Sequence, residues 1–95
     1  VFGPVASLYR AADADDALRI ANDTDFGLGS NVWTTDESEI EKFVDGFEAG
    51  QVFVNGMTTS YPAIAFGGVK NSGHGRELTK FGIHEFCNVK TVWVA

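Results

Sequence analysis

The amino-acid sequence predicts an α/β fold that is built on a parallel sheet. Three short apolar runs typical of strands, at 5–9, 28–33 and 51–55, alternate with two segments that have helical apolar spacing. Connections of this length join strands that run parallel. The 95 residues provide one small domain, and 44% apolar with 21% charged residues is an ordinary globular composition.

The first predicted helix follows the strand at 5–9. Asp13 stands at the N-cap position and Asp16 follows three residues later, where a carboxylate favours the positive end of the helix dipole. The apolar face consists of Ala14, Ala17, Leu18 and Ala21. Because three of these side chains are small, we expect this helix to pack closely on a sheet.

The second predicted helix has two possible starts. Thr34 with Glu37 fits a capping box, and Asp36 with Glu39 fits one equally well. Gly50 is the predicted C′ residue that ends this helix before the third strand. The apolar residues of the helix recur at helical intervals and are Ile40, Phe43, Val44 and Phe47.

The alternation of strands and helices stops after the third strand. Residues 56–78 are rich in Gly, Thr and Ser and predict neither a helix nor a strand. An irregular stretch of this length is usually functional or disordered, and its aromatic residues favour the first alternative. A short helix over 80–86 and a final strand over 89–94 are predicted to close the chain.

The charge of the chain is acidic, with 13 acidic and 7 basic residues and a net charge of -6. Nucleic-acid binding is not expected, because it needs a basic surface. No apolar run approaches the roughly 20 residues of a membrane-spanning helix, and no signal peptide is visible. The single cysteine, Cys87, excludes an internal disulfide framework, so a cytoplasmic setting is expected.

A glycine-rich run at 67–77 is the most conspicuous candidate for chemistry. Glycine-rich loops with a lysine can bind phosphate, but this spacing is that of neither a P-loop nor a dinucleotide fingerprint. A structural turn that shapes the wall of a site is the favoured interpretation. Cys87 lies near His84 and Glu85, yet a small buried thiol is favoured over a nucleophile. His74 is expected to be exposed, and no metal-binding spacing is found.

Five short motifs occur in order along nearly the whole chain. They are FGPV at 2–5, ANDTDFGL at 21–28, GQVFVN at 50–55, FGGVKNSGHGRE at 66–77 and KTV at 90–92. Together they resemble the C-terminal part of the aldehyde dehydrogenase superfamily. Each motif is weak alone, but their common order and spacing make the resemblance specific.

The resemblance implies a large subunit with a cofactor domain, a catalytic domain and an oligomerisation arm. Residues 1–86 would be the C-terminal part of the catalytic domain, and residues 87–95 a terminal oligomerisation strand. The family oxidises an aldehyde to a carboxylic acid with NAD or NADP, through a cysteine nucleophile. Cys87 does not match that nucleophile, and no family catalytic residue or cofactor domain matches this sequence. We therefore expect a fragment that starts mid-protein at Val1 and is inactive alone.

The resemblance also assigns three residues to ligand contacts. Phe2 matches an aromatic residue near the nicotinamide end of the cofactor. Phe66 matches an aromatic residue of the aldehyde pocket, with a plain core position as the alternative; the preceding Ala65 stands where the family usually has proline. Ser60 falls where succinate-semialdehyde dehydrogenases have a serine that contacts the substrate carboxylate, with an ordinary loop serine as the alternative.

A non-catalytic function is the alternative for the whole chain. The predicted strand at 89–94 offers an edge for pairing with another chain, as in an oligomerisation or interaction module. The expected partners are an aldehyde substrate, for which succinate semialdehyde is the candidate, the rest of the same polypeptide and further copies in a homo-oligomer. No membrane, nucleic-acid or metal partner is expected.

Overall fold

A computed structural model describes residues 3–95, so the prediction for Phe2 lies outside the described residues. Helices and short strands alternate along most of the chain. In order they are α1 (Ala14–Asn22), β1 (Phe26–Gly27), β2 (Ser30–Val32), α2 (Glu37–Gly46), β3 (Val52–Val54), β4 (Val69–Lys70) and α3 (Thr79–Glu85). No helix in the described part of the chain is long and apolar enough to cross a membrane.

The strands form two separate pairs. β2 and β3 run parallel, with Ser30 opposite Val52 and Val32 opposite Val54. Because α2 lies between them in sequence, these three elements form the strand–helix–strand connection that the sequence predicts. β1 pairs with β4 in antiparallel register. The result is a small mixed α/β arrangement, and residues 3–95 do not build the larger parallel sheet.

Two predicted strands do not form among the described residues. Residues 5–9 and 89–94 belong to no helix or strand, and Leu8 and Val89 are 93% and 92% exposed. A strand needs a neighbouring backbone to satisfy its amide and carbonyl groups, and no other segment within 3–95 pairs with either run. Their apolar side chains therefore lie open, in contrast to the half-buried residues of β3.

The start of α1 follows the predicted capping. The Asp13 carboxylate accepts a hydrogen bond of 2.9 Å from the backbone N–H of Asp16. Arg19 donates to the Asp16 carboxylate at 2.7 Å, and this hydrogen bond is the main reason why the pKa of Asp16 is lowered. A helix cap depends on the local sequence alone, which is why the sequence predicts the cap at Asp13.

The start of α2 decides between the two predicted caps in favour of Asp36. Its carboxylate accepts from the backbone N–H of Ser38 and Glu39 and from the Ser38 hydroxyl, and the hydroxyl bond is the largest cause of the lowered pKa of Asp36. Thr34 contributes differently, donating its hydroxyl proton to Glu39 at 2.6 Å. The predicted C′ role of Gly50 is wrong, because α2 already ends at Gly46.

Gly50 is instead required for a close approach of two backbones. A β-carbon on Gly50 would overlap the carbonyl oxygen of Gly67, and its N–H donates to the carbonyl of Gly27 at 3.0 Å. The start of β3 thereby lies directly against the glycine-rich run. This contact joins residues far apart in sequence, so local helix-ending rules do not reveal it.

The core inside the described residues is small. Phe43 of α2 is the one buried apolar side chain among them, with the ring of Phe47 5.3 Å away. Across the surface, Lys42 of α2 pairs with Asp15 of α1 at 2.7 Å. The radius of gyration is 17.0 Å, against about 12 Å for a compact 95-residue domain. The fold is therefore open and elongated.

Gly50→Ala tests the contact with Gly67. We expect a loss of about 3 kcal/mol in the free energy of unfolding, because a carbonyl of fixed backbone cannot move aside. Gly56→Ala is the matched control, since nothing crowds a β-carbon there. Equilibrium urea unfolding measures both variants, and equal effects at the two positions would contradict the close approach.

Candidate functional site

The glycine-rich run forms a loop that is closed at its base. Phe66 and Glu77 exchange two backbone hydrogen bonds, of 2.9 and 2.8 Å. Inside the loop, the Arg76 guanidinium donates to the carbonyl oxygens of Gly68 at 2.8 Å and Gly75 at 2.7 Å. These bonds connect the two sides of residues 67–76, which are called the glycine loop below. The prediction that 56–78 contains no strand is wrong for β4, which lies in this loop.

The outer side of the glycine loop is bound to β1 and to the residue before it. The Ser72 hydroxyl accepts from the N–H of Gly27 at 3.0 Å, and the N–H of Asn71 donates to the carbonyl of Asp25 at 2.9 Å. These bonds extend the pairing of β4 with β1. The favoured interpretation of the run as a structural turn therefore agrees with the structure.

Lys70 is directed at protein acceptors. Its ammonium donates to the carbonyl oxygens of Asn22 at 2.8 Å and Thr24 at 3.0 Å, and it lies 2.6 Å from the Glu48 carboxylate. A phosphate-binding lysine presents its ammonium to solvent, whereas these three acceptors match the three donors of Lys70. The geometry opposes the phosphate interpretation of this run.

Two asparagines are structural ties that the sequence reasoning missed. The Asn22 amide donates to the carbonyl of Gly46 at 2.8 Å and accepts from the N–H of Glu48 at 2.9 Å, so it joins the ends of α1 and α2. Asn55 has a left-handed φ of 53° and exchanges two hydrogen bonds with the backbone of Thr34. The available signal was the position of each asparagine at the end of an element, where its side chain can bind nearby backbone.

Phe66 lies at the edge of a cleft of about 370 Å³ between the glycine loop and α3. The half-buried ring shares the cleft with Leu28 and Phe86 and with the charged side chains of Arg76 and Glu85. Since the cleft is open and only partly apolar, it is not a complete ligand pocket by itself.

Ser60 is not brought to this cleft within the described residues. It is exposed in the loop after β3, does not line the cleft and makes no hydrogen bond to another described residue. β3 and the base of the glycine loop nevertheless hold both ends of the segment that carries it. Ser60 is therefore exposed in the described part of the chain.

The comparisons with known proteins decide the family. Residues 1–92 match the model of the aldehyde dehydrogenase family. The chain belongs to the aldehyde dehydrogenase family. This aldehyde dehydrogenase chain is 68% identical over 94 residues to succinate-semialdehyde dehydrogenase [NADP(+)] 1 of Mycobacterium ulcerans, covering 99% of this chain and 20% of that protein. It is 66% identical over 95 residues to succinate-semialdehyde dehydrogenase [NADP(+)] 1 of Mycobacterium tuberculosis strain H37Rv, covering 100% of this chain and 21% of that protein.

A solved structure supports the same assignment. The succinate-semialdehyde dehydrogenase from Burkholderia pseudomallei superimposes with a TM-score of 0.84 at 38% identity, over 88% of this chain and 17% of that one. The aldehyde dehydrogenase chain thus spans about a fifth of the length of the relatives that it matches.

The described part of this aldehyde dehydrogenase chain holds no assembled catalytic group. The prediction of a buried Cys87 is wrong: the thiol is exposed just beyond α3 and donates to the carbonyl of Ile83 at 3.3 Å. It is exposed because nothing described covers α3 on that side. His74 is exposed, as predicted. Among residues 3–95 no three His, Cys, Asp or Glu side chains come together as a metal site.

Asn22→Ala tests the tie between α1 and α2. We expect a loss of about 1–3 kcal/mol in the free energy of unfolding, because the carbonyl of Gly46 and the N–H of Glu48 lose their partner. Asn31→Ala is the control, since the exposed Asn31 makes a single 3.4 Å bond; its effect should stay within about 0.5 kcal/mol. If urea unfolding shows the two variants to be equally stable, Asn22 is not a tie.

Proposed function

We propose that this chain forms the C-terminal part of an NAD(P)-dependent aldehyde dehydrogenase that oxidises succinate semialdehyde to the dicarboxylic acid. The observation that carries the proposal is 66–68% identity, along essentially the whole chain, to proteins named succinate-semialdehyde dehydrogenase [NADP(+)]. NADP is the proposed cofactor because those names give it. The cysteine nucleophile and the cofactor domain would lie in other parts of the protein.

The chain's own contribution would be a wall of the aldehyde site. Phe66 would place an aromatic surface beside the substrate, and the Ser60 hydroxyl would donate a hydrogen bond to the carboxylate tail. Both follow β3, and ligands of α/β sheets bind beyond the carboxyl ends of parallel strands. Phe2 would contact the nicotinamide end of the cofactor, as the family motif implies.

We infer that the chain is inactive by itself and needs the rest of the polypeptide. The accessible surface of 7743 Å² exceeds by roughly 2,400 Å² the roughly 5,300 Å² expected for a folded monomer of 10.2 kDa. Gln51 points the same way: both polar atoms of its amide are buried and have no hydrogen-bond partner among the described residues. A buried amide of this kind normally has a partner, which we place in the rest of the protein.

Oligomerisation through the terminal segment is the second candidate function. Residues 87–95 lie outside any described helix or strand, and Val92 and Trp93 are 75% and 87% exposed. Such an extended apolar segment can add to the sheet edge of another subunit. We propose it as the strand that builds a homo-oligomer, a role that is compatible with the catalytic proposal.

A chimera tests the proposed activity directly. The 95 residues replace the matching fifth of the Mycobacterium ulcerans enzyme, which supplies the remaining parts of the protein. We expect the chimera to reduce NADP with succinate semialdehyde at a rate within about tenfold of the parent, and the isolated 95 residues to show no turnover. A folded chimera without activity would overturn the proposal, and turnover by the isolated chain would overturn its inactivity. The Gly50 and Asn22 variants are best compared in the same chimera.

Ser60→Ala in the chimera tests the carboxylate contact. A hydrogen bond to a charged group contributes about 1.5–3 kcal/mol, so KM for succinate semialdehyde should rise at least about tenfold. KM for butanal, an uncharged aldehyde of equal length, should stay unchanged. Thr59→Ala is the matched control, because it removes a neighbouring hydroxyl that we assign no contact. An equal effect on both aldehydes would show that Ser60 does not bind the carboxylate.

A further inference from the structure

We propose that Lys70 is a positioning residue for the substrate wall: its ammonium anchors the glycine loop to the end of α1 and so fixes the place of Phe66. The inference rests on the proposed function, because it assigns Phe66 to the aldehyde site. It concerns a residue that would touch neither substrate nor cofactor.

The three acceptors of the Lys70 ammonium come from three parts of the fold. Asn22 is the last residue of α1, and the carbonyl oxygens at the end of a helix lack partners inside the helix. Lys70 donates to this carbonyl and to that of Thr24 in the following turn. The Glu48 carboxylate, just beyond α2, provides the third acceptor at 2.6 Å. A cation at this position also interacts favourably with the negative end of the helix dipole.

The backbone conformation of Lys70 indicates that the contacts of its ammonium are more favourable than an unstrained local conformation. Its φ is 54°, in the left-handed region where a β-carbon is sterically unfavourable and glycine is usual. The neighbouring loop residues Gly67, Gly68, Gly73 and Gly75 show that glycine is frequent in this loop. We infer that the three contacts of the ammonium offset the strain, as expected where surrounding structure holds a residue in an unfavourable conformation.

The anchor reaches Phe66 through contacts on both sides of the cleft. Lys70 belongs to β4, which pairs with β1, and Leu28 comes directly after β1 and lines the cleft. On the other side, the glycine loop is tied across by Arg76 and closed at the pair of Phe66 and Glu77. Both walls of the cleft are therefore positioned relative to the end of α1, where Lys70 binds.

Lys70→Met in the chimera tests the anchor. We expect KM for succinate semialdehyde to rise about tenfold while kcat changes less than twofold, because the wall shifts and the reacting groups lie elsewhere. Backbone hydrogen exchange within 66–77 should speed up at least about tenfold. Lys42→Met is the matched control: it removes a lysine with a single carboxylate partner that does not touch the glycine loop, so it should change neither quantity. Glu48→Gln keeps both carbonyl contacts and should raise KM only about twofold.

The outcomes separate this inference from the proposed function. If Lys70→Met lowers the thermal midpoint and kcat together while KM stays unchanged, Lys70 has a purely structural role and the inference is overturned. Unchanged exchange within 66–77 overturns it as well. If the unsubstituted chimera is inactive, the proposed function fails, and the exchange measurement still decides whether Lys70 anchors the loop.

Discussion

The hydrogen bonding at the end of α1 is the constraint on which the rest of the structure depends. A helix leaves its last carbonyl groups without partners inside the helix, and here the last of them, that of Asn22, is bound from a distant part of the chain. The ammonium of Lys70 binds the Asn22 and Thr24 carbonyls, while the Asn22 side chain binds the backbone at the end of α2. One helix end thus joins α1, α2 and the glycine loop, in a chain whose described residues include a single buried apolar side chain. Polar contacts therefore fix the relative positions of these segments, which side-chain packing would fix in a larger core.

The elements that the sequence predicts correctly are those governed by neighbours in sequence. The cap of α1, the stripe that places Phe43 inward and the strands around α2 follow from local spacing, and the structure contains them. The runs at 5–9 and 89–94 have the same local character, yet they form no strand because pairing depends on a second backbone that residues 3–95 do not provide. The role of Gly50 depends on a distant carbonyl and is equally hidden from local rules.

The candidate site divides in the same way. Composition and spacing mark the glycine loop as a turn but cannot assign a ligand to it, and Phe66 and Ser60 stand out only through the family resemblance. Lys70 shows the limit most clearly: among glycines it suggests a phosphate site, whereas its three acceptors come from segments more than twenty residues away. Which partner a long flexible side chain finds is a property of the tertiary structure.

The overlap that a β-carbon on Gly50 would make with Gly67 has a consequence for how this site can diversify. The two backbones touch at Gly50, just before β3, and at Gly67, just after the segment that carries Ser60. Residues 51–66 therefore form a loop whose two ends are fixed. Doubling the length of such a loop costs only about 0.6 kcal/mol in closure entropy. Its tip can therefore change in length and chemistry while the frame that holds it stays the same. Under the proposed function, exchange of residues 51–66 would let one scaffold accept aldehydes with different tails.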